Sequence, residues 1–183
     1  MRLAIAALLV ALPSVAAAGP FTAGIAFGKI HSKADADSGA DANGTASVFG
    51  RVGFSPRLGG QLELQRIKTD DSGTDIRTAT ALVVVELGSK GRLVPLLVAG
   101  LGIDKASSPY GYEQRAHHTE GGLGLEYRAD GGFVIGADVR IGDRTLEQQY
   151  DVQPLAGDVK AFVPSNLSDG EYRAARLSLG IRF

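Results

Sequence analysis

The stretch ARLSLGIRF, residues 175–183, alternates apolar and polar side chains without interruption. Its apolar residues recur at every second position, and the positions between them hold Arg176, Ser178, Gly180 and Arg182. A period of two is the mark of a β-strand whose two faces meet different surroundings. Here one face is apolar and the other is charged, so the sequence predicts a sheet that separates an apolar environment from a polar one.

Seven earlier segments show the same alternation or the same enrichment in β-branched residues. We predict strands at about 20–30, 45–54, 58–67, 76–87, 92–103, 116–128 and 132–142, with the eighth over 171–183. One face of each segment is apolar, as in the run Val83, Val85 and Leu87. The opposite faces carry Arg, Glu, Asp and Gln spaced by glycines.

The connections between these segments alternate in length. Residues 55–57, 88–91 and 129–131 form tight joins, whereas 31–44, 68–75, 104–115 and 143–170 are longer and polar. This order is typical of outer-membrane barrels, with turns on one side of the membrane and loops on the other. The predicted strands have about 10 to 13 residues, and about 9 to 11 residues are enough for a tilted strand to cross a bilayer. The predicted fold is therefore all-β: an eight-stranded antiparallel up-and-down transmembrane β-barrel.

Composition excludes several function classes. The 183 residues carry a net charge of -1, and this lack of basic excess argues against a nucleic-acid partner. There is no Cys, which excludes disulfides and thiolate metal sites. We expect no cofactor and no metal centre.

The first residues have the pattern of a secretory signal peptide. A short basic start precedes an apolar run, and small residues in an Ala-x-Ala arrangement end at Ala18. We predict that residues 1–18 are a cleaved signal peptide and that 19–183 form the barrel. The chain is then exported.

Charged residues are expected to fill the barrel interior. An eight-stranded barrel is just wide enough for side chains to fill it, and buried charges need partners. The predicted interior network has four residues of each sign: Arg51, Arg140, Arg176 and Arg182 with Glu63, Glu86, Glu126 and Asp138. The same groups could instead line a small pore, and this alternative stays open.

One pair of residues allows a catalytic hypothesis. His117 and Thr119 share a predicted outward face, and an outward His-x-Ser pair on a barrel resembles the lipid A deacylases. There the His activates the hydroxyl as a general base. No acidic residue that could orient His117 is evident on the same face, so we expect no catalysis.

Two long connections have distinctive compositions. Residues 31–44 include Asp35, Asp37 and Asp41, but the EF-hand order fails, so we predict a solvated loop with weak divalent-cation binding as the alternative. Residues 143–170 mix apolar side chains with acids, and we expect this loop to fold over the barrel mouth or to meet a partner.

Several motifs together resemble the OmpA-like and OmpX-like outer-membrane β-barrel superfamily. They are PLLVAGLG at 95–102, EGGLGLEYR at 120–128, the alternating strand at 133–141 and LGIRF at 179–183. The resemblance implies a monomer in the outer membrane of a Gram-negative bacterium, in contact with lipids and lipopolysaccharide. It also implies a structural or surface-interaction role.

The resemblance further implies that Leu179, Ile181 and Phe183 form the signal read by the outer-membrane assembly machinery. Aromatic residues are expected at the two membrane interfaces. They are Phe21, Phe27, Phe54, Tyr127, Phe133, Tyr172 and Phe183.

Overall fold

A computed structural model describes residues 20–32, 42–68, 75–88, 91–107, 113–147, 167 and 169–183. The predicted signal peptide, the aspartates at 35, 37 and 41 and residues 148–166 lie outside these ranges. The eight strands are β1 (Phe21–Ser32), β2 (Asn43–Gly53), β3 (Leu58–Lys68), β4 (Asp75–Glu86), β5 (Leu93–Ser107), β6 (Glu113–Arg128), β7 (Phe133–Leu146) and β8 (Gly170–Arg182).

The strands pair in sequence order into a closed antiparallel barrel, which confirms the predicted fold. Direct cross-strand partners can be followed once around it, from Phe21 on β1 through each strand in turn to Arg173 on β8, which pairs with His31. The path returns to β1 ten residues beyond its start. This stagger tilts the strands against the barrel axis, and eight strands leave an interior that side chains can fill.

The two ends of the barrel differ in their connections. At the end called here the short-turn end, Gly131 and Gly132 have φ of 84° and join β6 to β7, a conformation that glycine adopts without steric cost. The opposite end is called the long-loop end. β5, β6 and β7 continue further toward the long-loop end than predicted, so that only 108–112 separate β5 from β6.

β5 and β7 extend past their predicted ends because the prediction ended these two strands where the outward apolar pattern ended, at Ile103 and Ile141. Residues such as Lys105 and Arg115 point outward in continuing ladder pairs. Backbone pairing does not depend on apolar outward side chains, provided that polar ones can reach water.

The outward face is apolar along most of its height. Large hydrophobic side chains on all eight strands are exposed there, among them Leu62, Leu101 and Leu177. Exposed aromatic side chains cluster near the short-turn end, at Phe54, Tyr127, Phe133 and Phe183. Phe27 is exposed on the outward face at the middle of β1, away from this cluster. Tyr172 was predicted wrongly, because it is 4% exposed and points inward.

No helix among the described residues has the length and hydropathy needed to cross a membrane.

Candidate functional site

The part of the interior nearest the short-turn end contains a group of ion pairs. Arg51 Nη1 donates to Glu126 Oε2 at 2.7 Å, and Arg51 Nε donates to Gln61 Oε1 at 2.9 Å. Arg128 donates to Glu126 Oε1 at 2.8 Å and to Glu86 Oε2 at 3.0 Å. Glu126 is therefore shared by two arginines.

The middle of the interior is organised around Glu63. Arg176 Nη1 donates to one carboxylate oxygen of Glu63, and Arg140 Nη2 donates to the other at 3.3 Å. Both arginines also reach Asp138 Oδ1, at 2.8 Å from Arg140 Nε and 3.0 Å from Arg176 Nε. Arg140 Nη1 additionally donates to Glu120 Oε1 at 2.5 Å. Since Glu63, Arg140 and Arg176 are buried, each depends on these partners to offset its desolvation.

The structure brings seven of the eight residues of the expected network into these ion pairs, but not Arg182. Within the described residues Arg182 makes no ion pair, and Glu86 and Glu126 are paired with Arg128 and Arg51. Arg128 and Glu120 take part although the sequence-based network left them out. Both lie at even positions of β6, the same alternation that turns Glu126 inward.

A second polar cluster, nearer the long-loop end, escaped the sequence analysis. Asp104 accepts hydrogen bonds from Arg144 Nε at 2.7 Å and from Thr78 Oγ1 at 2.6 Å. His118 Nδ1 lies 3.0 Å from Asp104 Oδ2, and His118 Nε2 lies 3.2 Å from Thr80 Oγ1. All five side chains are buried. The alternation along β5 and β6 could have predicted that Asp104 and His118 point inward, but not that they contact each other.

Tyr172 joins the two clusters. Its hydroxyl donates to Glu120 Oε2 at 3.0 Å, and Glu120 in turn accepts from Arg140. The Arg144 guanidinium lies 5.1 Å from the centre of the Tyr172 ring, within cation–π range. Gln61 Nε2 donates to Glu63 Oε2 at 3.3 Å, which links the ion pairs of the short-turn end to those of the middle. The interior polar groups therefore form one connected network from Glu86 to Asp104.

Glycines on neighbouring strands make room for these side chains. Each of four large inward residues has a glycine as its direct cross-strand partner: Gly28 with Arg176, Gly102 with His118, Gly122 with Arg140, and Gly142 with Tyr172. A Cβ at Gly142 would come within 2.4 Å of the Tyr172 ring. The large side chains can therefore lie flat across the adjacent strand.

Apolar side chains also line the interior, which differs from the expected wholly polar filling. Val84, Val94, Leu96 and Val98 form a buried cluster on the β4–β5 wall. A second buried cluster contains Leu167 with Ile30, Ile67 and Ile76. Leu167 comes from the connection between β7 and β8, and it packs against the inward face of strand residues near the long-loop end.

Two of the cavities among the described interior side chains are small. One of about 20 Å³ lies beside Arg51, Asp138 and Arg176, and one of about 10 Å³ lies beside His118, Glu120 and Tyr172. A cavity needs roughly 10–15 Å³, counted as the space open to the centre of a water molecule, to hold one water. Each therefore has room for about a single water.

The outward residues of the catalytic hypothesis are only partly brought together. His117 Nε2 lies 2.7 Å from Glu147 Oε1, so an acidic partner exists that the sequence analysis missed. Thr119 is exposed on the same face, but no hydrogen bond joins Thr119 to His117 in the described part of the chain. A hydroxyl nucleophile requires its base within hydrogen-bond reach.

The expected assembly residues Leu179, Ile181 and Phe183 lie on the exposed outward face of β8 and just beyond it. Phe183 N donates to Phe21 O at 2.8 Å, and the two rings stack with centres 6.2 Å apart. Within the described ranges, no group of three or more His, Asp and Glu side chains is arranged to hold a metal ion.

Comparisons with known proteins agree with this architecture. Residues 3–183 match the family described as outer membrane protein beta-barrel domain. The fold is similar to that of Neisserial surface protein A, with a TM-score of 0.60 and 15% identity over 89% of this chain and 94% of that one. It is also similar to the N-terminal β-barrel domain of Pseudomonas aeruginosa OprF, with a TM-score of 0.57 and 16% identity over 89% and 97% of the two chains. No curated protein matches the sequence.

Proposed function

We propose that this chain, which belongs to the outer membrane protein beta-barrel domain family, acts as a closed, non-enzymatic barrel in the outer membrane of a Gram-negative bacterium. Its role is to stabilise the envelope and to hold the long-loop end at the cell surface for interaction. Residues 1–18 direct export and are cleaved after about Ala18, and the barrel works as a monomer.

The connected ion-pair network carries this proposal. Glu63, Arg140 and Arg176 lie across the middle of the interior in mutual contact, and the cavities beside them have room for about one water each. A hydrated ion would have to break several buried ion pairs in order to pass, and breaking a buried pair costs about 3–5 kcal/mol. This supports a structural barrel over a small-solute pore.

Conductance in planar lipid bilayers tests the closed barrel. We expect no resolvable single-channel current from the wild-type protein, while heat-modifiable migration on gels verifies that the inserted sample is folded. Glu63→Gln weakens the central contacts and serves as the variant in which leakage should appear first. Regular current steps from folded wild type would establish the pore instead.

The proposed absence of catalysis rests on the outward face. His117 has Glu147 as a partner but lacks a hydrogen bond to Thr119. No contact is therefore in place through which His117 could take the proton of the Thr119 hydroxyl. We expect the acyl composition of lipid A to be the same in cells expressing wild type and His117→Ala. A change in acyl chains that depends on His117 would support a deacylase.

The proposed partners follow from location. The exposed apolar face suits outer-membrane lipids, with lipopolysaccharide in the outer leaflet, and the β8 residues Leu179, Ile181 and Phe183 suit recognition by the assembly machinery. Fractionation of cells tests the location directly. Recovery of the chain from the soluble periplasmic fraction would contradict it.

A further inference from the structure

Four basic residues form a row across four neighbouring strands on the outward face. Arg66 on β3 pairs directly with Arg77 on β4, Arg77 pairs with Lys105 on β5, and Lys105 pairs with Arg115 on β6. All four residues point outward, and the side chains of Arg66, Arg77 and Lys105 are 63%, 77% and 45% exposed. We call these four residues the basic row.

The basic row has only partial charge compensation. Asp75 contacts both Arg66, at 2.6 Å, and Arg77, at 3.0 Å, and Glu113 contacts Lys105 at 2.7 Å. Arg115 has no ion pair in the described part of the chain. Like charges directly opposite each other destabilise a sheet, and two carboxylates do not neutralise four cations. The uncompensated charge makes this arc of the surface attractive to an anion.

The basic row lies at the edge of the apolar face nearest the long-loop end. On β3, β4 and β5, the outward residue next to the row on its short-turn side is Leu64, Ala79 and Ile103, respectively. The stagger of the barrel inclines the row, so Arg115 lies furthest toward the long-loop end. Basic side chains thus lie on the long-loop side of apolar ones. Contact with a lipid headgroup and its acyl chains requires this arrangement.

On β7 and β8 the outward charges at this level are of mixed sign. Thr119 on β6 pairs with Asp143 on β7, and Asp143 pairs with Glu171 on β8. Arg173 on β8 lies 3.6 Å from Glu171, so this part of β7–β8 carries two carboxylates and one cation, in contrast to the four cations of the basic row. An anionic membrane component has a reason to prefer one side of this barrel.

We propose that the basic row is a docking site for a membrane-resident glycolipid that carries phosphate groups, as lipopolysaccharide does. The cations bind the phosphates, and the acyl chains lie along Leu64, Ala79 and Ile103. Attraction of anionic lipids to Lys and Arg near a membrane surface supplies the binding free energy. This inference rests on the proposed outer-membrane location and names the face of the barrel that the lipid contacts.

The test compares two double variants of the folded full-length chain in lipid nanodiscs of phosphatidylcholine. Arg77→Gln with Arg115→Gln removes two charges from the row. Lys29→Gln with Arg173→Gln removes two exposed charges at the same level on β1 and β8, outside the row. Binding of bisphosphorylated lipid A is measured by native mass spectrometry, with dephosphorylated lipid A and a soluble polysulfated sugar as the other probes.

We expect the row variant to bind bisphosphorylated lipid A roughly 30-fold more weakly than wild type, and the control variant to bind within about threefold of wild type. Dephosphorylated lipid A should bind wild type and both variants equally. Equal affinity of wild type and the row variant for the phosphorylated lipid would overturn the docking site. So would a row-dependent affinity found only for the soluble polysulfate. A wild-type chain that does not insert into nanodiscs as a folded barrel would instead refute the proposed location.

Discussion

Gly102 on β5 and His118 on β6 are direct cross-strand partners, and a Cβ on Gly102 would lie 2.4 Å from the His118 ring. The ring therefore occupies the space that any other residue at position 102 would fill. His118 holds Asp104 and Thr80 in the inner cluster. One glycine thus controls whether that cluster can form.

Gly102→Ala is expected to destabilise the barrel by about 1–3 kcal/mol, because the methyl group overpacks the interior and also meets Ala79 O at 2.5 Å. The measurement is urea-induced unfolding in lipid vesicles. Gly121→Ala is the matched control, since its Cβ would have its nearest neighbour at 3.7 Å. Equal unfolding free energies for the two variants would contradict the packing argument.

Glu63→Gln is expected to lower the unfolding free energy by about 3–5 kcal/mol, because it leaves Arg140 and Arg176 buried with one fewer carboxylate. Asp130→Asn removes the partner of Arg92 in an exposed pair and should change the same quantity by less than about 1 kcal/mol. The same unfolding experiment measures both. A loss for Glu63→Gln no larger than for Asp130→Asn would mean that water reaches the interior freely.

Substitutions of Arg51 and of Arg182 should change the unfolding free energy by different amounts, although both side chains lie on the inward face. Arg51→Gln removes a 2.7 Å contact to buried Glu126, and we expect a loss of about 1.5–3 kcal/mol. Arg182→Gln breaks no ion pair of the described chain and should cost less than about 0.5 kcal/mol. Unfolding midpoints of the two single variants decide the comparison, and the reverse order would restore Arg182 to the network.

Leu167 tests whether the long-loop end of the barrel is closed to water. The chain contains no native Cys, so a Leu167→Cys variant carries a single thiol. Because Leu167 is 1% exposed, we expect the thiol to react with a water-soluble maleimide at least about tenfold more slowly than that of Asp169→Cys, at an exposed position. Both should react equally after denaturation. Equal rates in the folded barrel would show that the mouth is open.

Deletion of Phe183 should reduce the outer-membrane level of the protein several-fold, because β8 must pair with β1 to remove the last open edges of the sheet. Leu179→Asp should act in the same direction by placing a charge on the lipid-facing side. Phe133→Ala, at another exposed aromatic of the short-turn end, is the control. Quantitative blots of membrane fractions measure all three, and normal levels of both β8 variants would refute the assembly role.

Sequence periodicity determined the barrel itself. Alternation along 175–183 and its seven counterparts, with the unequal connections, was sufficient to predict eight antiparallel strands and the inward direction of the eight residues of the expected network. A period of two records only the face on which a side chain lies. The outward runs and the inward position of Glu63, Arg140 and Arg176 follow from that parity alone.

Only the tertiary structure decided which inward and outward residues meet. The stagger of the closed sheet sets His118 against Gly102, gives Glu126 to Arg51 and Arg128, and leaves Arg182 without an ion pair. It also aligns Arg66, Arg77, Lys105 and Arg115 into one row. Register between strands is a property of pairing around the whole barrel, and no single strand's pattern contains it.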